Sequence, residues 1–174
     1  MTQLRSRPMA TPRLDLLPLA VGHAPEMAEV LSDQALHQFT GGRPDTPEEL
    51  LARYRRLTAG SPDPDVVWWN WVVRVRAEGR LAGTVQATVS GASGRGPRTA
   101  ELAWVIGTAW QGRGYATEAA RALAGRLADE GVAELVAHID PEHAASAAVA
   151  AAVGLRPTDR FHDGERRWQT AVGG

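Results

Sequence analysis

The chain has 174 residues, 44% of them hydrophobic and 22% charged, which fits one globular domain long enough to bury a core. Nineteen basic residues, all arginine, nearly balance twenty acidic ones and leave a net charge of -1, which argues against a nucleic-acid partner. The absence of cysteine excludes disulfides, thiolate metal sites and a covalent thioester on the protein, and the absence of lysine excludes Schiff-base chemistry and a Walker-type phosphate loop.

Residues 1–10 carry no hydrophobic period and are expected to be a flexible terminus, with a single domain over 11–174. No leader pattern precedes residue 15 and no apolar run could span a bilayer, so a cytoplasmic protein without membrane contact is expected. Leu14, Leu16 and Leu19 suggest a first strand broken at Pro18, and a short helix follows over 25–31. Thr46-Pro47-Glu48-Glu49 reads as a helix start, with threonine as cap, proline in the first turn and acids beside it. That helix presents Leu50, Tyr54 and Leu57 on one face. Residues 66–77 alternate at period two, placing Trp69, Trp71, Val73 and Val75 together, and a turn at Glu78-Gly79 leads into a strand over 81–89.

A Gly/Ser-rich loop over 90–98 precedes a strand over 100–106. After a glycine-containing turn, Ala119, Leu123 and Leu127 mark an amphipathic helix that Gly131 ends. A strand over Glu134–Ile139, a small-residue helix over 144–153 and a hairpin turning at Asp163-Gly164 complete the chain, the hairpin strands lying at 160–162 and 166–171. The order predicts an α/β or α+β domain on one mixed sheet of about six to seven strands, flanked by helices.

The turn Gln111-Gly112-Arg113-Gly114-Tyr115-Ala116 lies between a strand end and a helix start. Free N–H groups and the helix dipole favour an anion there, and Gly112 and Gly114 let the backbone approach it closely. Arg113 adds a charge within reach of phosphate. By itself the turn supports an anion site and no more.

Gln111-x-x-Gly114-x-Ala116 matches the Q/R-x-x-G-x-G/A signature of the GNAT superfamily of acetyltransferases. The stretch TAELAWVIGTAWQGRGYATEAARAL resembles the branch of ribosomal-protein N-terminal acetyltransferases and antibiotic-modifying relatives. The likeness extends to TPRLDLLPL, to HIDPEHAASAAVAAAVGL and to the closing hairpin, in the expected order.

The resemblance implies that acetyl-CoA lies where the strands over 100–106 and Glu134–Ile139 splay apart. Trp104, Val105 and Ile106 would pair through their backbone with the pantetheine arm, one N–H stabilising the thioester oxyanion. Gln111, Gly112, Arg113, Gly114, Tyr115 and Ala116, with Thr117, would hold the pyrophosphate. Glu101 matches the acid early in that strand and is the preferred base for the attacking amine, with His138 as the alternative. Many relatives protonate the departing thiolate with a tyrosine, and Ala150 stands at that position. Ser146 matches the serine this branch retains and would serve instead. His143 replaces the family's pantetheine-contacting asparagine.

Acceptor recognition is expected from His37, Phe39, Arg43, Tyr54, Trp68, Trp69, Asn70 and Trp71, and from Arg160, Arg166, Arg167 and Trp168. Those C-terminal arginines weigh against a polycationic acceptor. The function expected is acetyl transfer from acetyl-CoA to a protein N-terminus or a small-molecule amine, without a metal, by a monomer or homodimer. The alternative is a degenerate acyl-CoA-binding sensor or interaction module, a reading that rests on His143 and Ala150.

Overall fold

The computed structural model describes residues 6–170. Its elements are β1 (Met9–Ala10), β2 (Leu14–Pro18), α1 (Ala24–Val30), α2 (Pro47–Ala59), β3 (Val66–Val75), β4 (Arg80–Ser90), β5 (Thr99–Ile106), α3 (Tyr115–Asp129), β6 (Glu134–Ile139), α4 (Ala144–Ala152), β7 (Leu155–His162) and β8 (Glu165–Thr170). All eight strands join one sheet in the order β1-β2-β3-β4-β5-β6-β8-β7.

Local chemistry explains most boundaries. Thr46 accepts the Glu49 N–H while the Glu49 carboxylate accepts the Thr46 N–H, a reciprocal capping box that starts α2 where the sequence places it. Asp163 and Gly164 both take positive φ, 48° and 81°, as a two-residue hairpin turn with the sheet's twist requires. Two differences from expectation appear. The hairpin strand β7 begins at Leu155, not at 160, because Leu155–Pro157 pair with β8 before a register shift interrupts the ladder. At the other end, Met9 and Ala10 pair with Leu16 and Asp15, and the Trp71 indole N–H donates to the Arg7 carbonyl, so this stretch is built into the sheet edge. Residues 1–5 of the expected flexible terminus and the expected strand end at Ala171 lie outside the described residues.

The alternation in β3 divides the core. Trp69, Trp71, Val73 and Val75 face α3 and pack with Leu14, Leu16, Val85, Leu123 and Leu127. Val72 points to the other face, with Leu50 and Tyr54 of α2 and Met27 of α1. Burying one such side chain contributes about 1.5–3 kcal/mol.

All neighbouring strands run antiparallel except β5 and β6. That parallel ladder consists of Thr99↔Glu134, Ala100↔Leu135 and Glu101↔Val136, and then stops. Beyond it β5 stays paired to β4 as far as Ile106, and β6 to β8 as far as Ile139. The sheet therefore opens between Leu102–Ile106 and Ala137–Ile139.

Candidate active site

A cleft of about 760 Å³ occupies this opening. The splayed strand ends, the first residues of α3 and α4, and a stretch between α1 and α2 that includes Phe39 line it. Past Glu101, alternate N–H and C=O groups of β5 have no partner on β6 and face the gap, as the geometry of a ladder with one side open dictates. Trp104, Val105 and Ile106 all line it.

At its wide end the chain leaves β5 through Gly107 and one 3-10 turn, Thr108–Trp110, into the glycine loop. The Gln111 side chain donates to the Ile106 carbonyl at 2.9 Å and so ties the loop back to the strand. Gly112 and Gly114 adopt φ of 77° and 81°, the left-handed conformation that side chains resist. Gly114 is the N-cap of the fifteen-residue α3, and no side chain caps that helix. Its positive end thus faces the cleft beside Tyr115, Ala116 and Thr117. Arg113 is the exception among the expected loop residues: it does not line the cleft, and its guanidinium lies 3.6 Å from the Glu78 carboxylate on the β3–β4 turn.

Two polar clusters flank the gap. Glu101 and Val136 stand opposite each other in parallel register, so Glu101 and His138 share a sheet face, and His138 Nδ1 lies 2.8 Å from Glu101 Oε1. The two candidate bases are one hydrogen-bonded pair. With Nδ1–H donated to the carboxylate, His138 Nε2 carries the lone pair. On the far wall, His143 caps α4: its Nδ1 accepts the Ser146 N–H at 3.2 Å, which places the ring proton on Nε2, 3.2 Å from Ser146 Oγ. The Ser146 hydroxyl proton is then free to be donated elsewhere. Phe39 stacks on the His143 ring at 4.2 Å and anchors the α1–α2 connection to this wall. Ala150 does not line the cleft and is fully buried between α4 and the sheet.

Sequence reasoning missed Glu165 and Asp140, which also line the cleft. Glu165 follows the turn that leads from the edge strand β7 into β8 beside β6, and no local pattern marks it. None of Arg43, Arg160, Arg166 and Arg167 lines the cleft, and Arg43 and Arg167 are paired with Glu49 and Glu134. Trp69 and Trp71 are buried in the core, and Trp68 and Asn70 line a separate small recess near Leu57.

Burial holds Glu165 above the ordinary carboxylate range, with Asp140, Glu101 and Asp163 adding to the shift and His138 opposing it. Folding therefore favours its protonated form, a contribution present below the unfolded value and lost as pH rises through the folded one. Glu165→Gln is expected to raise the melting temperature slightly near pH 8, with the gain disappearing below about pH 4. Paired thermal melts at the two pH values check this.

Among the described residues, no group of three or more His, Asp or Glu side chains is arranged to hold a metal ion. No helix among them is long and apolar enough to cross a membrane.

Residues 13–156 match the family model described as acetyltransferase (GNAT) domain. No curated protein matches the chain. Solved structures share its fold. A GNAT-family acetyltransferase from Bacillus anthracis is similar with a TM-score of 0.74 at 20% identity, over 94% of this chain and 96% of that one. The microcin C7 self-immunity acetyltransferase MccE, solved with acetyl-CoA and AMP, gives 0.74 at 14% identity, over 93% and 94%. RimL, a ribosomal L7/L12 alpha-N-protein acetyltransferase solved with coenzyme A, gives 0.75 at 15% identity, over 95% and 98%.

Proposed function

The chain belongs to the acetyltransferase (GNAT) domain family, and from that premise we propose that it moves an acetyl group from acetyl-CoA to a primary amine by direct attack in a ternary complex. The observation that carries this reading is the early end of the β5–β6 ladder, which opens a gap running from the glycine loop to the Glu101–His138 pair. When bound, acetyl-CoA supplies the acetyl group as an activated thioester.

The residues present suit that molecule. The left-handed Gly112 and Gly114 and the uncapped start of α3 offer backbone N–H groups to a pyrophosphate, with Gln111, Tyr115, Ala116 and Thr117 completing the loop. Trp104, Val105 and Ile106 offer open backbone groups to an amide-bearing arm, and one N–H there would polarise the thioester oxygen. Glu101 and His138 take the proton from the attacking amine, His138 through Nε2 with Glu101 orienting the ring, or Glu101 through a water. Ser146 donates its hydroxyl proton in a hydrogen bond to the departing sulfur, while His143 fixes the direction of that hydroxyl.

Glu101, Asp140 and Glu165 give the acceptor end of the cleft negative charge with no lining arginine. This favours an acceptor with a second positive group near the amine, in a protein N-terminal segment or a small polyamine. The test is release of free coenzyme A thiol from acetyl-CoA across a panel of amines and N-terminal peptides. Amine-dependent release, fastest for cationic acceptors, is the expected result. Acetyl-CoA binding without turnover on any amine would instead make the chain a binding module.

A further inference from the structure

A second cation besides Arg113 stands at the glycine loop. Arg13, one residue before β2 and a hundred positions from the loop, reaches it from behind. Its Nη1 donates to the Arg113 carbonyl at 2.8 Å, between the two left-handed glycines. Its Nε and backbone N–H donate to the two carboxylate oxygens of Glu118 at 2.8 and 3.0 Å, and its guanidinium lies 4.6 Å from the centre of the Tyr115 ring. Thr11 adds a third donor to Glu118, at 2.5 Å. A Cβ built on Gly114 would stand 3.3 Å from Arg13 Nη2, so that nitrogen faces the loop backbone. Among the described residues it has no hydrogen-bond acceptor.

Two consequences follow. The loop is held by residues over which its own sequence has no control: the Arg113 carbonyl is fixed, so the N–H groups on either side of it are fixed too. Moreover, Glu118 lies in the first turn of α3, where an uncompensated carboxylate would repel a second anion at the helix start. Arg13 cancels that charge while its planar fork spans both partners, a geometry that lysine cannot reproduce.

On the reading that this loop holds the pyrophosphate of acetyl-CoA, we infer that Arg13, with Glu118, is the positioning residue of the phosphate site. Arg13 fixes the loop's donors and neutralises Glu118 beneath them. It acts through the backbone and touches no reacting atom.

The test compares acetyl-CoA with acetyl-pantetheine, which carries the same thioester but no pyrophosphate, by titration against wild type, Arg13→Ala and Arg13→Lys. Arg13→Ala is expected to weaken acetyl-CoA by about tenfold to a hundredfold, the loss of two charge-assisted hydrogen bonds, and to leave acetyl-pantetheine within about twofold. Arg13→Lys keeps the charge and is expected to fall between the two. Equal weakening of both ligands would make Arg13 a purely structural residue and overturn the inference, as would no weakening of either. If Arg13→Ala fails to fold, the Arg13→Lys ratio decides by the same criterion. Wild-type protein that fails to bind acetyl-CoA at all would overturn the parent reading, an outcome separate from these.

Discussion

Glu101→Gln is expected to lower kcat for amine acetylation by about a hundredfold to ten-thousandfold, the span of a lost general base, with the KM for acetyl-CoA nearly unchanged. The amide keeps the size of the side chain and its carbonyl can still accept from His138 Nδ1–H, so folding and ring orientation survive. What disappears is the negative charge that makes an imidazolium, or a proton on Glu101 itself, favourable as the amine attacks. His138→Gln separates the two routes. If His138 Nε2 is the base, this variant loses as much as Glu101→Gln, and the double variant loses little more, because the pair acts as a unit. Should Glu101 work through water, His138→Gln retains most of the rate. Steady-state kinetics on the three variants decides: an unchanged rate in Glu101→Gln dismisses Glu101, and unchanged rates in both single variants dismiss the pair altogether.

Gly83→Ala has the largest effect expected outside the proposed proton-transfer groups. Gly83 lies on β4 opposite Ile106, and a Cβ there would come 2.1 Å from the Val105 carbonyl oxygen and 2.9 Å from Ile106 Cδ1. Neither the carbonyl nor the strand behind it can yield without moving β5, the strand that forms one wall of the gap. Overpacking of this kind costs about 1–3 kcal/mol. We therefore expect Gly83→Ala to lower the urea midpoint by a corresponding amount with the same slope, and to weaken acetyl-CoA because Trp104–Ile106 have shifted. Equal midpoints for variant and wild type would show that the strand accommodates the methyl group freely.

The elements legible in the sequence were those whose signals are local. Thr46 and Glu49 state the start of α2, the alternation from Trp69 to Val75 states a strand, and Asp163-Gly164 states a hairpin. The glycine loop was legible for the same reason, since its two left-handed residues and its helix start are adjacent in the chain. Partnerships set by register were not. Glu101 and His138 stood in the sequence as alternatives, and only the parallel pairing of Glu101 with Val136 brings them into one hydrogen bond. Arg113 is the cation the motif itself offers, and its guanidinium lies 3.6 Å from Glu78 on the β3–β4 turn, whereas Arg13, a hundred positions away, is brought to the loop only by the fold. Gly83 carried no signal at all, because what its missing side chain avoids is a carbonyl 22 positions further along. Glu165 enters the cleft only through the closing hairpin.

Isothermal titration of the purified protein with acetyl-CoA tests the central claim most directly. Saturable binding with one site per chain, weakened by added salt as a pyrophosphate contact requires, is the predicted result. No heat of binding at millimolar acetyl-CoA, from a protein that melts cooperatively, would contradict the account.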